Sequence, residues 1–453
     1  MNLKHLTWAM SVVCLFLTPA RLFGAGSYFR VEQRAGVWWF VSPSGQLFIS
    51  AGVDNVSYQG DVIHGTTVHP YFEHVSKLYP SERAWGKAAI HRLRSWGFNN
   101  LGAWTSPFLW TYKMPYTVIL DVAARSGANW RKGIPLDVYS PQFEAMARKI
   151  AEKECAPRSQ DRYLLGYFSD NELRWGPDWR GKQNMLTMYL NLPSTAPGRQ
   201  HAIAFLKKKY SGSIQQLNQA WGVHASSFDD LPSEAATNAF KADSSEFLGM
   251  VAERYFQVCA HAIHAADPNH LYLGAKFAGM PPDPVLRASA AADVVSVDIY
   301  RFDPRPVVEH IYNVAQRPIL VAEFAFRAED AGLPNTRGAG PKVPDQAARA
   351  RAYKNFVTEL ESLPEAVGYQ WFEWCDEPRE GRFDGENSNY GLVNIDDQPY
   401  SQFVTKVKVA NRQAISVHRK RMKYFADNAV GLRIPSRWAG LKPQGPLRPR
   451  AGY

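Results

Sequence analysis

Cysteine is scarce in this sequence, with four in 453 residues. Cys14 falls in a leader-like segment, and Cys155, Cys259 and Cys375 lie too far apart for a disulfide framework or the CxxC spacing of a structural zinc site. No cluster of histidines stands out either, so neither a metal nor another cofactor is expected. Internal repeats are absent. Apolar runs long enough to cross a bilayer are also missing, because the stretch from Leu6 to Leu17 falls short of the roughly 20 residues a spanning helix needs. Together with the early Lys4 and the small residues near Ala20 and Ala25, that stretch reads as a secretory signal over residues 1–25. A secreted or periplasmic protein is the expectation, with no integral membrane segment once the signal is removed.

Acidic residues are missing from one region only. From Val404 to Tyr453 there are twelve Lys or Arg against a single acid, Asp427, so this end carries +11 of a formal net charge of +10 and the first 403 residues are left at −1. Residues 404–453 therefore read as a basic, solvated C-terminal tail, and no nucleic-acid partner is expected of the folded part.

What the chain has in plenty is apolar and aromatic residues, 45% and 13% of the total, including 14 Trp. A hairpin of "VWWFV", the turn "SPSG" and "LFISAGV" comes first. Apolar runs that end in polar or aromatic residues then recur at 47–55, 97–104, 116–123, 163–172, 270–277, 293–300, 318–326 and 366–374. Segments of helical period separate them, such as "FEAMARKIAEKEC" and "AYKNFVTELESL". Asp243, with Glu246 three residues on, suggests the start of another helix. Continuous apolar strands alternating with amphipathic helices imply a parallel sheet covered by helices, and eight such units imply an α/β fold of the (β/α)8 TIM-barrel type, spanning 26–403 after a short N-terminal β-hairpin. The connection after strand four, about 173–269, exceeds a single crossover helix and is expected to be a helical insertion roofing the mouth.

In such a barrel the groups that carry chemistry sit at the C-terminal ends of the strands. Strand one ends in Asp54 and Asn55, strand two in Asn99, Asn100 and Trp104, strand four in Asp170, Asn171 and Glu172, and strand five in Lys276. Strand six ends in Asp298 and Tyr300, strand seven in Glu323, and strand eight in Trp371, Glu373 and Trp374. Carboxylates and indoles without a His or Cys cluster suit a saccharide, whose ring faces stack on indoles while acids and amides bond its hydroxyls. Two carboxyls on opposite walls can divide the work of glycoside cleavage. Asp376, Glu377, Glu386 and Asn389 in the loop after strand eight lack the spacing of a calcium loop and read as solvated loop acids. His201 and His270 read as packing or capping residues.

Asn171-Glu172, Tyr300, Glu323 and an indole after strand eight match the pattern of the retaining glycoside hydrolases of clan A. More narrowly, "GYFSDNELRWG", "FLKKKYSGSIQQLNQAWG", "DPNHLYLGAKFAG", "VVSVDIY", "VAEFAFR" and "GYQWFEWCDEP" resemble the family 50 β-agarases, with weaker similarity to the family 42 β-galactosidases, over roughly Val31 to Tyr400. The resemblance implies a hydrolase cleaving β-galactosidic linkages in agar-type galactan or its oligosaccharides. It makes Glu172 the general acid/base and Glu323 the nucleophile. Asn171 would bond the sugar 2-hydroxyl, Tyr300 would donate to Glu323, and Trp371 or Trp374 would floor the first subsite. Asn55, Trp104 and Lys276 complete the expected substrate contacts. The agarases usually carry a sugar-binding β-sandwich before the barrel, and only a hairpin stands there here, which speaks against a long polymeric substrate and is compatible with an exo-acting enzyme on oligosaccharides. The alternatives are a β-galactosidase or other clan A β-glycosidase, and an inert carbohydrate-binding protein on the same barrel.

Overall fold

The computed structural model describes residues 27–129 and 134–431. The signal expected at 1–25 and the last part of the basic tail lie outside the described residues.

The chain begins with a small antiparallel sheet in which β1 (Arg30–Arg34) pairs with β2 (Val37–Val41), and β2 pairs with β3 (Leu47–Phe48). The β2–β3 turn closes through Ser42 and Gln46 and needs a left-handed residue, supplied by Gly45 at φ +80°. One residue after β3 the chain enters the barrel as β4 (Ser50–Val53). It continues as β5 (Asn100–Leu101), β6 (Tyr116–Ile119), β7 (Leu164–Phe168), β8 (Leu271–Tyr272), β9 (Lys276–Ala278), β10 (Val295–Asp298) and β11 (Ile319–Phe324). A short parallel pair, β12 (Arg327–Ala328) and β13 (Lys342–Val343), precedes the last barrel strand, β14 (Ala366–Trp371).

The barrel strands are all parallel, in the order β8-β7-β6-β5-β4-β14-β11-β10-β9. The two outermost, β8 and β9, are halves of one strand bent at Gly274, whose φ is +77°. That strand receives β7 through Leu273 N–H to Tyr167 O and Lys276 N–H to Asp170 O, while its second half pairs with β10. The sheet therefore closes into the expected (β/α)8 barrel.

Burial on both faces explains why the strands read as continuous apolar runs rather than alternating ones. Inside, Leu165, Leu271, Leu273, Leu320, Ala322 and Val367 form one cluster, and Phe29 and Phe40 of the hairpin plug it from below. The larger cluster lies between the strands and the helices. Those helices are α1 (Pro70–Leu78), α2 (Glu82–Ser95), α3 (Val122–Arg125), α4 (Pro141–Glu154), α5 (Met185–Leu190), α6 (Pro197–Lys209), α7 (Ile214–Trp221), α8 (Asn238–Ala266), α9 (Asp283–Ser289), α10 (Arg305–Ala315), α11 (Gln346–Glu361) and α12 (Ser401–Gly431). No helix among the described residues is long and apolar enough to cross a membrane.

Three expectations need correction. The helix expected to begin at Asp243 begins at Asn238 instead, capped by the Thr237 hydroxyl; Asp243 is buried and accepts from Trp221 Nε1 at 2.7 Å and Tyr210 Oη at 2.7 Å. A carboxylate with two buried donors is satisfied mid-helix and has no need of a terminus. The insertion after strand four does not roof the mouth with its helices: α5, α6 and α7 pack on α8, which itself packs on α4 and α9. The basic tail is not a free appendage from residue 404, because α12 packs along α11 and β2 with Phe403, Val404, Val407, Ala410, Ala414 and His418 buried. Its apolar residues recur at helical spacing, and the cations occupy the opposite face.

Candidate active site

Three pocket residues at strand ends sit in the left-handed region: Asn55 at φ +53°, Trp104 at φ +56° and Glu172 at φ +45°. Such conformations cost an L-residue about 1–3 kcal/mol and persist where neighbours enforce them. For Glu172 the enforcement is explicit, since its N–H donates to Lys276 O at 2.8 Å and its own carbonyl accepts from Arg180 Nη1 at 2.5 Å. Both sides of the residue are thereby pinned, and its carboxyl projects over the barrel mouth.

Across the mouth Glu323, the penultimate residue of β11, is only 4% exposed. One oxygen accepts from Tyr300 Oη at 2.5 Å and the other from the Lys276 ammonium. Lys276 is fully buried, with Asp54 at 3.7 Å and Asp298 at 4.0 Å. Burial alone would lower its pKa, but the surrounding carboxyls Asp298, Glu323 and Asp54 raise it, so the ammonium stays charged. One cation cannot hold three anions in so dry a place. Burial first, then the charge of Glu323, pushes Asp298 well above the usual carboxylate range; burial does the same to Asp54 against the pull of Lys276. Asp54 also accepts from Ala103 N–H at 2.8 Å, an approach open only because residue 102 is glycine, where a Cβ would lie 1.9 Å from Asp54 Oδ1.

Glu172 and Glu323 stand close together. Carboxyl oxygens of Glu172, Asp298 and Glu323 all lie within 4.8 Å of one another. That spacing would also allow a cation to be ligated, but the Lys276 ammonium already supplies positive charge to two of the three. Burial, and then the negative charge of Glu323, raises the Glu172 pKa to about 7, with Lys276 and Arg180 opposing. One carboxyl therefore holds a proton near neutrality while its neighbour keeps two donors.

The two face a cavity of about 800 Å³, the size of an enclosed ligand site. Asn55, Trp104, Asn171, Glu172, Tyr300 and Glu323, all expected from the sequence, line it. Asn171 lines the cavity, and its Oδ1 is buried without a hydrogen-bond partner. Trp104 is 37% exposed and rests on the Lys276 ammonium, 4.1 Å from its ring centre.

Lys276 itself lies beneath the cavity and touches Glu323 rather than open space, which corrects its expected role as a substrate contact. Trp371 and Trp374 are corrected as well: both are 0% exposed and neither lines the cavity. Trp371 Nε1 bonds Tyr390 O at 2.9 Å amid Phe324, Tyr353 and Phe403, and Trp374 Nε1 bonds Tyr71 Oη at 2.8 Å between Trp85 and Trp96. Directly after β14 it is Phe372 that lines the cavity, edge-on to Trp104 and Tyr300. β14 ends at Trp371, so alternation along the strand no longer tells which way the next side chains turn.

The loop after β14 is not a set of solvated acids. Asp376, Glu377 and Asn389 are buried; Asp376 accepts from Asn389, Gly391 N–H and Tyr400, and Glu377 accepts from Ser388 N–H and pairs with Arg382 at 3.0 Å. Arg382 also pairs with Asp384 at 3.0 Å and Glu386 at 2.9 Å, and these three line one cavity wall with Phe383 and Asp61. The opposite rim carries Trp179, 71% exposed, with the Arg180 guanidinium 4.4 Å from its ring centre. None of the residues from 179 to 180 or from 382 to 384 was singled out in the sequence, because aperiodic loops carry no pattern from which a direction follows. His201 and His270 behave as expected, the first stacked on Tyr139 and the second held between Asp267 and Asp161 O.

No family model matches the chain. Two curated relatives from Vibrio sp. (strain JT0107), β-agarase A and β-agarase B, are 29% and 27% identical over 86% and 88% of it. The matches cover 45% and 49% of those proteins, so the chain spans about half the length of the curated relatives it matches. Among solved structures, an exo-β-agarase superposes with a TM-score of 0.77 at 26% identity, covering 87% of this chain and 66% of that one. Another agarase gives 0.75 at 26%, covering 88% and 66%. A β-galactosidase from the haloarchaeon Halorubrum lacusprofundi, at 15% identity and a TM-score of 0.53 over 81% of this chain and 58% of its own, shares the fold alone. The resemblance to the β-agarases read from the motifs thus extends along most of the chain.

Proposed function

We propose that this protein is a retaining glycoside hydrolase that cleaves β-galactosidic linkages in agar-type galactan or its oligosaccharides. The observation that carries the reading is the pair Glu172 and Glu323: carboxyl oxygens within 4.8 Å, one acid lifted to about 7 and the other held by a tyrosine and a lysine. Retaining enzymes place their carboxyls about 5–5.5 Å apart, and inverting ones about 6.5–9.5 Å, to leave room for water.

In this mechanism Glu323 attacks the anomeric carbon while Glu172 gives its proton to the departing glycosidic oxygen. A covalent glycosyl-enzyme forms and the linkage breaks. Glu172, now ionised, takes a proton from water, whose oxygen displaces Glu323 with a second inversion. Tyr300 and Lys276 hold the Glu323 carboxylate in place and balance its charge, and the Asn171 amide bonds the 2-hydroxyl. Trp104 and Phe372 offer aromatic surface to the ring. The agarase relatives support galactan as the substrate class, and the leader-like first 25 residues support export.

The test is to incubate the purified protein with agar, agaro-oligosaccharides and aryl β-galactosides and follow the products and their anomeric configuration. Release of short agar saccharides with β configuration supports the reading. Cleavage of the aryl β-galactosides alone replaces it with a β-galactosidase, and an intact panel replaces it with a sugar-binding protein.

A further inference from the structure

On the outer wall of the barrel, α2 and Tyr112 of the turn Pro107–Tyr112 line an open groove of about 710 Å³ that shares no lining residue with the first cavity. Its walls are Ser81, Ala84, Ile90 and Tyr112 together with Arg83, Lys87, His91 and Arg94. Those last four fall at i, i+4, i+8 and i+11 of one helix, hence on a single face, and span about 16 Å along its axis. No carboxylate lines the groove, and among the described residues none of the four is in an ion pair. The groove is also braced: Arg94 Nη2 donates to Tyr112 O at 2.8 Å, and Tyr112 Oη donates to Arg83 O at 2.9 Å. Residues 1–403 as a whole carry a net charge of −1, so Arg83, Lys87 and Arg94, with His91 between them, are a local concentration of positive charge on one strip of the barrel wall.

We infer that this groove binds a linear saccharide bearing sulfate esters, a second binding site on the barrel wall that holds the polymer while the mouth works on an uncharged stretch. Guanidinium and ammonium groups in a row match anionic esters in a row, with arginine able to bond a sulfate through two N–H groups. A groove admits a single extended chain, whereas a flat bilayer meets only its rim. The choice of a saccharide among polyanions rests on the galactan reading of the mouth, but the binding does not.

The test measures binding of the full protein to sulfated and to neutral galactan oligosaccharides of equal length, at low and at high salt. It is repeated with a variant carrying Arg83→Gln, Lys87→Gln and His91→Gln, all on exposed positions of α2. Tighter binding of the sulfated ligand that fades with salt, weakened about tenfold in the variant while hydrolysis of a neutral oligosaccharide is unchanged, supports the groove. Absence of hydrolysis in both proteins, with that binding difference intact, removes the reading of the mouth and leaves the groove standing. Equal binding of sulfated and neutral ligands, or equal binding by variant and parent, overturns it. Tighter binding to vesicles of anionic phospholipid or to single-stranded DNA than to the sulfated saccharide overturns the choice of ligand.

Discussion

Replacing Glu172 with glutamine separates the two consequences of burying a carboxyl beside another. The side chain keeps its shape and loses both its proton and its charge. General acid catalysis is worth roughly 10²–10⁴-fold, and the variant should lose that much turnover on agaro-oligosaccharides, whose departing sugar hydroxyl needs the proton. A dinitrophenyl galactoside needs none, so its burst of phenolate should survive while steady turnover stalls at the glycosyl-enzyme, and added azide should relieve the stall. In the parent enzyme the alkaline limb of kcat/KM should fall with an apparent pKa near 7, as Glu172 ionises, and that limb should vanish from the residual activity of the variant. Stability should move the other way. Burial and Glu323 raise this carboxyl from 4.5 to about 7, so the group weakens the fold progressively as pH rises from 4.5 to 7, by up to about 3 kcal/mol, and leaves it weakened at higher pH. Glu172→Gln should therefore be more stable than the parent at pH 8 by as much as ~3 kcal/mol, and little changed at pH 4, in denaturant titrations. A variant that hydrolyses oligosaccharides within threefold of the parent, with the alkaline limb in place, would refute the acid role. Equal stability at pH 8 would refute the electrostatic account.

Three further outcomes follow from neighbouring geometry. Tyr300→Phe removes the hydroxyl bonded to Glu323, and kcat should fall roughly 10–100-fold with KM nearly constant, matching a hydrogen bond to a charged group of about 1.5–3 kcal/mol; unchanged kcat would remove Tyr300 from the mechanism. Lys276→Met leaves Glu323, Asp54 and Asp298 buried without their cation and should cost about 3–5 kcal/mol of stability, whereas a solvent-exposed substrate contact would cost almost nothing. Truncation after residue 403 strips the packed face of α12 from α11 and should lower the unfolding midpoint or abolish soluble protein; an unaltered midpoint would return that segment to the role of a free tail.

The barrel was legible because its strands are buried on both faces and so stand out as eight apolar runs. Knowing where such runs end was enough to name Asn55, Trp104, Asn171, Glu172, Tyr300 and Glu323, all of which line the cavity. The Trp371 and Trp374 assignments failed for a local reason. The regular strand stops at Trp371, and beyond it only packing against Phe403 on one side and Tyr71 on the other decides that both indoles turn into the core while Phe372 turns to the mouth. Arg382 and Trp179 were invisible for the opposite reason, as they belong to aperiodic loops. The basic end of the chain was misread because its charge count hid a regular apolar spacing.

By itself, then, the sequence determined the elements, their alternation and the strand ends that carry the acids, since hydrophobic periodicity and turn residues are local properties of the chain. Only the tertiary structure decided that Lys276 would sit among three carboxyls, that one acid would keep its proton near neutrality beside another that pairs with a lysine, and that three cations and a histidine of α2 would line a single groove with Tyr112. Each of these depends on distances between residues far apart in the chain, and on the water excluded from between them.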